Sequence, residues 1–405
     1  MQLRNYLHRS LYDPTEGYFT ASKSTIPVGS IGKPLEFNKL LGQADYLSAV
    51  KEHYNHLQAS WLTPSEIFTP YYGCAIANFI LDKHSQMAEP GTPLRIFEIG
   101  GGTGTLARDI LDHLRASVPD VYREVDYRMV EISPVLAQLQ ERTVADVGGH
   151  SDHFQVECRD AADLRGWDGS KGDDPCFLLL MEVMDNCPHD RVHRESPSQP
   201  WLQTAIREHK GSDSPPSASA VEETLQPLSD DLIQQCLAVG PWEHNGKPFW
   251  HRLLDWAVDA GSHGAENTIF LPTGCMVLLD TLIKARPFHC VLAADFDHLP
   301  ETRIPGKNAP LVATTAGGKT IDHSTYLVDA GSADIFFPTD FYMLERMYGV
   351  LSKRDSASEG ITTSVLKNEA FMKRYASIAE TTTVQGYNPL LQDYSNTSFF
   401  IGQRT

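Results

Sequence analysis

The chain has 405 residues, of which 41% are hydrophobic and 21% are charged, so it can form one large α/β domain with additions, or two domains. Its net charge of −18 argues against nonspecific binding to nucleic acid or to an anionic membrane, because both require a basic surface. A basic protein segment is the partner that this charge favours.

Residues 1–93 are predicted to form a mostly helical region. Apolar residues within 6–12 have the spacing of a short amphipathic helix that ends before the first proline. Residues 26–34, rich in glycine and proline, predict a loop. Thr63 is predicted to start another helix, whose apolar face lies within 75–80. Because this region precedes a glycine-rich turn, we expect it to lie over a ligand bound there.

Residues 94–106 predict a strand, a glycine-rich turn and a helix. A short apolar run typical of a doubly buried strand leads to Glu98, and Gly100, Gly102 and Gly104 follow. Apolar residues then recur at helical spacing. The glycines therefore lie between a strand and a helix, the context in which such a turn indicates a nucleotide-binding site.

The ligand of this turn is suggested by the acid that precedes it. Without Cβ atoms the turn lets a ligand approach the backbone closely. Dinucleotide-binding folds place a pyrophosphate at such a helix N-terminus, and the charge of Glu98 would oppose it. S-adenosylmethionine, with its ammonium and sulfonium groups, fits better. An ordinary glycine-rich turn without a ligand remains the alternative.

A second predicted strand, 125–131, ends in Glu131. A carboxylate at this position can accept hydrogen bonds from both hydroxyls of a ribose. Ser133 and Pro134 then have the N-cap and first-turn positions of a helix. The alternative is an exposed acid at the end of a strand.

A third predicted strand, 154–158, leads to candidate adenine contacts. Asp160 could accept a hydrogen bond from the adenine amino group, and the amide of Ala161 could contact a ring nitrogen. Asp163 is the rival of Asp160, and either acid could instead cap a helix.

The most apolar predicted strand, 176–181, is followed by Glu182. Ligands of open α/β sheets bind at the carboxyl ends of the strands, so Glu182 is placed to face the reacting groups. Asp185 would share its face on a helical turn. A role for Asp185 in a turn or as a helix cap is an equal alternative to this shared face.

The remainder of the chain divides into an insertion and a second globular part. Within the insertion, 190–245, residues 193–200 and 211–217 are loop-like, and 211–217 are expected to be mobile. After them we expect helices near 253–260 and 274–285, a strand at 289–296, and a loop through residue 318. The last elements are predicted as strands 334–337 and 397–401, with a helix at 341–347 between them.

These elements define an α/β fold with a seven-strand Rossmann-like sheet of the class I methyltransferase type. It has five parallel strands and a closing pair. The predicted divisions are a helical region over the cofactor site, the first part of the cofactor-binding domain, an insertion, and the second part with the closing strands. They span residues 1–93, 94–189, 190–245 and 246–405.

Cysteine content and hydropathy indicate the cellular compartment of the protein. The seven cysteines form no C-x-x-C pair, which indicates reduced thiols and an intracellular compartment. No apolar run is long enough to span a bilayer, and the first residues are expected to belong to the folded domain rather than to a presequence. His53 and His56 lack an evident third ligand, so no metal site is predicted.

With these residues in view, the sequence resembles the MidA-like methyltransferase family over nearly its whole length. The motif from Glu98 to Leu106 is similar to the family's E-x-G-P-G-x-G-x-L, and Glu131 to Leu136 to its V-E-x-S-x-x-L. Glu182 to Pro188 resembles N-E-x-x-D-A-L-P, with Met181 in place of the asparagine. Other similar segments are Tyr6 to Phe19, Thr63 to Glu66, Tyr72-Gly73 where the family has Phe-Gly, and Gly331 to Phe341.

The resemblance implies an activity, an acceptor and a location. The animal mitochondrial member of this family is a complex I assembly factor that symmetrically dimethylates an arginine. The resemblance therefore implies methyl transfer from S-adenosylmethionine to a basic, arginine-containing segment, with a complex I subunit as the candidate. It also implies a mitochondrial matrix location, with the cytoplasm as the alternative. In this chain Glu182, with Asp185, would hold the guanidinium.

Two other functions are consistent with the sequence. One is a non-catalytic assembly or interaction protein that binds S-adenosylmethionine without turnover. The other is a small-molecule methyltransferase with a closed pocket for a compact acceptor. The sequence gives no oligomeric state.

Overall fold

The structure is a computed structural model that describes residues 1–21, 28–56, 62–89, 91–167, 174–208, 221–240, 267–300, 302–316, 319–353 and 360–404. Strands and helices are numbered in chain order within these ranges. The central element is a seven-stranded sheet with the order β13-β14-β9-β4-β1-β2-β3. Its strands are β1 (Arg95–Ile99), β2 (Asp126–Glu131), β3 (Phe154–Cys158), β4 (Cys176–Met181), β9 (His289–Phe296), β13 (Ile361–Lys367) and β14 (Thr397–Arg404).

Five of these strands are parallel, and β14 pairs antiparallel with both β9 and β13. The central strands β1, β4 and β9 are buried on both faces of the sheet, as the continuous apolar sequence of β4 predicts. Its helices are α1 (Leu3–Tyr12), α2 (Gln43–His56), α3 (Pro64–Ile67), α4 (Tyr71–Met87), α5 (Thr105–Ser117), α6 (Pro119–Tyr122), α7 (Pro134–Gln140), α8 (Asp231–Val239), α9 (Thr273–Ala285), α10 (Phe341–Ser352), α11 (Asn368–Tyr375) and α12 (Pro389–Gln392).

The expected α/β sheet of seven strands is confirmed, but one strand of its closing pair is not the predicted one. The closing strands are β13 and β14, whereas 334–337 was expected in place of β13. Residues Asp334–Phe336 form β12, which belongs to a separate three-stranded sheet of order β11-β10-β12. Strand β13 is at the edge of the sheet and has no fully buried residue, so its sequence lacks the apolar run of a buried strand.

Strands beyond the predicted ones contribute to two smaller sheets, and one of these strands lies in a predicted loop. Residues Leu311–Ala316 form β10, within the stretch expected to be a loop through residue 318, and Lys319–Asp322, just beyond that stretch, form β11. Three strands within the predicted insertion, 190–245, and one strand beyond it form a four-stranded sheet of order β7-β6-β5-β8. Its strands are β5 (Asp190–His193), β6 (Leu202–Glu208), β7 (Val221–Pro227) and β8 (Thr268–Leu271). The predicted mobile loop at 211–217 and the helix near 253–260 lie outside the described residues.

Local signals placed several element ends correctly. Ser133 accepts a hydrogen bond from the Leu136 amide at 3.5 Å, and Pro134 is the first residue of α7. Helix α1 ends at Tyr12, and α3 starts at Pro64 after Thr63. All seven cysteines are unpaired thiols. Within the described ranges, no helix has the length and hydropathy needed to cross a bilayer.

Candidate functional site

The glycine-rich turn joins β1 to α5 at the carboxyl end of the sheet. Gly100 has φ +65°, a conformation that favours glycine, and a Cβ there would lie 3.3 Å from Cγ2 of Val183. Gly104 is the N-cap of α5 with φ +87°. A Cβ on Gly104 would lie 3.1 Å from Cγ2 of Val144 and 3.2 Å from Cα of Gln140. The first glycine therefore shapes the turn toward the ligand side, whereas Gly104 allows close packing behind it.

Glu98 lies beneath this turn, on β1. It is only 2% exposed, and its Oε2 accepts a hydrogen bond from the Tyr127 hydroxyl at 2.6 Å. Burial raises the pKa of Glu98 to about 7, although the Tyr127 hydrogen bond opposes the shift. A cationic ligand group would favour the charged form of Glu98 and would be held by it.

Glu131 ends β2 and is held by two donors. Its Oε1 accepts from the Ser133 amide at 2.8 Å, and its Oε2 accepts from Nε2 of Gln140 at 2.8 Å. The same Gln140 nitrogen donates to the carbonyl oxygen of Gly102 at 2.9 Å. Burial raises the pKa of Glu131, against the effect of these donors. Gln140 therefore fixes the position of the carboxylate relative to the glycine turn.

The predicted adenine contacts follow β3. Asp160 accepts a hydrogen bond from the Ala162 amide at 2.8 Å, and its Oδ2 lies 3.8 Å from Nε2 of His8 on α1. Burial acts to raise the pKa of Asp160, but the His8 ring and the amide outweigh it and hold the pKa below its usual range. The rival Asp163 pairs with Arg165 at 2.8 Å. Its carboxylate therefore already has a partner on the surface.

Glu182 directly follows β4 and has an unusual backbone. Its φ is +55°, a strained value for a residue with a side chain, and its amide donates to the Ala294 carbonyl at 2.8 Å. Burial and the nearby Asp185 raise the pKa of Glu182 to about 8. No described residue forms an ion pair or side-chain hydrogen bond with this carboxyl group. It therefore lies ready to bind a cation.

Asp185 lies in a turn, the alternative that the sequence leaves open beside a shared helical face. Residues 182–186 form a turn rather than a helix, so the shared helical face of Glu182 and Asp185 does not form. The Asp185 amide donates to Oδ2 of Asp295 at 3.0 Å, and its carbonyl accepts from the Phe337 amide. Burial, with Asp295 and Asp334, raises the pKa of Asp185 well above its usual range. A catalytic role for Asp185 remains a prediction.

One cavity of about 490 Å³ joins most of these residues, a volume typical of small-molecule sites. The predicted residues that line it are Glu98, Gly100, Gly102, Glu131, Asp160, Ala161 and Glu182. Gly104 and Asp185 are not among the lining residues. Asp163, the rival of Asp160, also lines the cavity.

The N-terminal region forms one wall of this cavity. The sequence predicts that this region covers the site but does not identify the residues that line it. His8 and Tyr12 of α1 line it, as do Ser65 of α3 and Tyr72 of α4. Behind this wall, Glu66 is 1% exposed. It accepts hydrogen bonds from the Thr103 hydroxyl of the glycine turn and, at 3.1 Å, from the Ile31 amide. The Thr63-Pro64-Ser65-Glu66 segment predicts a helix start, but only the fold reveals that its acid is buried against the turn.

The cavity fits S-adenosylmethionine by the chemistry of its walls. Glu98 beside the glycines can hold the ammonium group, and Glu131 can accept from the ribose hydroxyls. Gly100 leaves room where a Cβ would approach Val183. The fold and the site thus define an S-adenosylmethionine-dependent methyltransferase.

Comparison with known proteins places the chain in a family of this class. Residues 75–357 match the family described as "Putative S-adenosyl-L-methionine-dependent methyltransferase", and the chain belongs to it. Its cofactor is S-adenosylmethionine.

Individual relatives are distant. The chain is 22% identical over 368 residues to the Schizosaccharomyces pombe protein named "Protein arginine methyltransferase NDUFAF7 homolog, mitochondrial", covering 85% of this chain and 74% of that protein. A Burkholderia thailandensis crystal structure with bound S-adenosylhomocysteine covers 100% of this chain and 88% of its own, with TM-score 0.61 and 15% identity. A second structure from that organism covers 100% and 87%, with TM-score 0.58 and 14% identity. These structures share the fold.

Proposed function

We propose that the protein transfers a methyl group from S-adenosylmethionine to an arginine side chain of another protein. The observation that carries the proposal is the position of Glu182. It lines the cofactor cavity at the end of β4, and no described lysine or arginine pairs with its carboxyl group. An unpaired acid at this position suits an acceptor that brings its own positive charge.

A guanidinium group needs such an acid in order to react. It is charged at physiological pH and its lone pairs are delocalised, so its nitrogens are weak nucleophiles. When bound, S-adenosylmethionine supplies a methyl group on a positively charged sulfur, which leaves as a neutral thioether. Glu182 would orient the guanidinium, balance its charge and take the proton lost by the methylated nitrogen. Its pKa of about 8 suits a proton acceptor near neutral pH.

Asp185 would act through Glu182. It lies behind the cavity wall, and its charge contributes to the raised pKa of Glu182. Asp295 holds the Asp185 amide and lies in the same group of buried acids. Together they would favour the protonated form of Glu182 until a cationic acceptor arrives.

The acceptor class and location rest on relatives. The Schizosaccharomyces pombe relative is named as a mitochondrial protein arginine methyltransferase, and the MidA-like resemblance suggests a complex I subunit as the acceptor. The net charge of −18 favours a basic segment of such a subunit. On this basis we propose a role in complex I assembly in the mitochondrial matrix.

Transfer of labelled methyl groups tests the proposal. The protein is incubated with methyl-labelled S-adenosylmethionine and unmethylated respiratory-chain subunits, and labelled arginine is measured after hydrolysis. Wild type should label arginine, and Glu182→Gln should lose the label while binding cofactor normally. Glu141→Gln, at an exposed position, is the matched control and should retain activity. Binding without any labelling would instead support an assembly protein, and labelling of only small molecules would support a small-molecule methyltransferase.

A further inference from the structure

Asn186 lies in the turn after β4, four residues beyond Glu182, and lines the same cavity. Its side-chain nitrogen donates to Oδ1 of Asp334 at 2.9 Å and to the carbonyl of Ile335 at 3.2 Å. Both partners are acceptors, so the amide orientation is fixed by chemistry, with the nitrogen toward β12. The side-chain oxygen must therefore point away from β12.

The backbone hydrogen-bond acceptor of Asn186 already has a donor. The backbone carbonyl of Asn186 accepts a hydrogen bond from the Tyr12 hydroxyl at 3.1 Å. Within the described chain, no donor reaches Oδ1 of Asn186. Oδ1 of Asn186 is therefore a neutral hydrogen-bond acceptor with a fixed orientation, on a residue of the cavity wall near Glu182.

We propose that Oδ1 of Asn186 accepts a hydrogen bond from the methyl acceptor and makes Asn186 a specificity-determining residue. The inference rests on the proposed function, because it assigns a second contact to the same acceptor. A guanidinium carries five N–H donors and no acceptor, so the carboxylate of Glu182 cannot satisfy it alone in a largely buried site. A carboxylate and an amide oxygen together accept from different nitrogens of one planar group.

The proposal accounts for the anchoring of the side chain. An asparagine amide free to rotate could present either its oxygen or its nitrogen to the cavity. The hydrogen bonds to Asp334 and Ile335 exclude the second orientation. In that orientation the amide nitrogen of Asn186 would face the N–H groups of the guanidinium. Strand β12 thereby determines that Asn186 offers a hydrogen-bond acceptor, and not a donor, to the methyl acceptor.

Binding of an arginine probe tests the inference. The probe is Nα-acetyl-arginine N-methylamide, titrated into the full chain saturated with S-adenosylhomocysteine. We expect Asn186→Ala to weaken probe binding roughly tenfold or more, the loss expected for a hydrogen bond to a charged group. Affinity for S-adenosylhomocysteine should not change. Asn368→Ala is the control, because the side-chain nitrogen of Asn368, like that of Asn186, donates to a backbone carbonyl, here that of Leu390 at 2.6 Å, and Asn368 lies outside the cavity lining.

The outcomes separate this inference from the proposed function. If Glu182→Gln loses the probe and Asn186→Ala binds it as wild type does, the Asn186 inference is wrong and the proposed function stands. Weaker S-adenosylhomocysteine binding by Asn186→Ala, with normal probe binding, would also overturn it by assigning Asn186 to the cofactor. If Glu182→Gln binds the probe normally, or wild type does not bind it, both are wrong. Should Asn186→Ala fail to fold, Asn186→Ser retains a donor but lacks the amide oxygen and should give the same weakening.

Discussion

The Tyr127 hydroxyl of β2 donates to the Glu98 carboxylate of β1 at 2.6 Å, beneath the glycine turn. This hydrogen bond joins two adjacent parallel strands at the point where the cofactor cavity begins. It favours the charged form of Glu98, while burial favours the neutral form and raises the pKa to about 7. The charge of the site therefore changes near physiological pH.

Cofactor affinity should depend on pH through Glu98. Between pH 6 and pH 8 the carboxyl loses its proton, so the dissociation constant of S-adenosylhomocysteine should fall by up to about tenfold. Calorimetric titration across this range measures it. Glu98→Gln should bind weakly with little pH dependence, whereas the exposed Glu124→Gln should behave as wild type. An unchanged pH profile in Glu98→Gln would assign the titration to another group.

Gln140 should affect cofactor binding without lining the cavity. Gln140→Leu removes the hydrogen bonds to Glu131 and to the Gly102 carbonyl, so we expect roughly tenfold weaker binding of S-adenosylhomocysteine. Gln138→Leu, at an exposed position on the same helix, is the control and should not change binding. Equal affinities for both variants would show that Gln140 does not position Glu131.

Gly104 should matter for stability more than for ligand contact. Gly104→Ala forces φ +87° on a residue with a Cβ and crowds Val144 and Gln140, so the free energy of unfolding should fall by about 1–3 kcal/mol. Gly349→Ala is the contrast, because Gly349 lies in α10 with no atom within 4 Å of the added Cβ. It should gain about 0.5–1 kcal/mol. Urea unfolding of both variants measures the difference, and equal shifts would contradict the assignment.

Stability should respond to pH through Glu182. Its folded-state pKa of about 8 lies above that of the unfolded chain, so the neutral carboxyl stabilises the fold fully at acid pH, and this contribution is lost as pH rises through about 8. Glu182→Gln should therefore be more stable than wild type at pH 9, by roughly 1–3 kcal/mol after allowing for solvent in the cavity. The two should converge near pH 4. A constant difference across this range would mean that Glu182 does not titrate as described.

Short-range patterns correctly placed Glu98 and Glu131 at the carboxyl ends of strands that border one cavity. Glu98 and Glu131 each end or nearly end a strand that is followed by a turn and a helix, and such strand-turn-helix signals lie within a few residues. Parallel strands then bring their carboxyl ends together, so separate local predictions converge on one cavity.

Features that depend on distant contacts were not predictable in the same way. The buried role of Glu66 depends on Thr103, 37 residues away, and the anchor of Asn186 depends on Asp334, 148 residues away. In the four-stranded sheet, β5 pairs with β8 across a long stretch of chain, and no hairpin turn sequence predicts this pairing. The sequence leaves a helical face shared by Glu182 and Asp185 and a turn equally open, and residues 182–186 form the turn, with Glu182 at φ +55°.

The most direct test of the account is calorimetric titration of wild type and Glu131→Ala with S-adenosylmethionine, S-adenosylhomocysteine and NADH. Glu131 accepts two hydrogen bonds that hold it at the cavity, and its loss removes the proposed ribose contact. We predict one-to-one binding of the first two ligands by wild type, no detectable NADH binding, and at least tenfold weaker binding by Glu131→Ala. Preferential binding of NADH, or full affinity for S-adenosylmethionine in Glu131→Ala, would contradict the account.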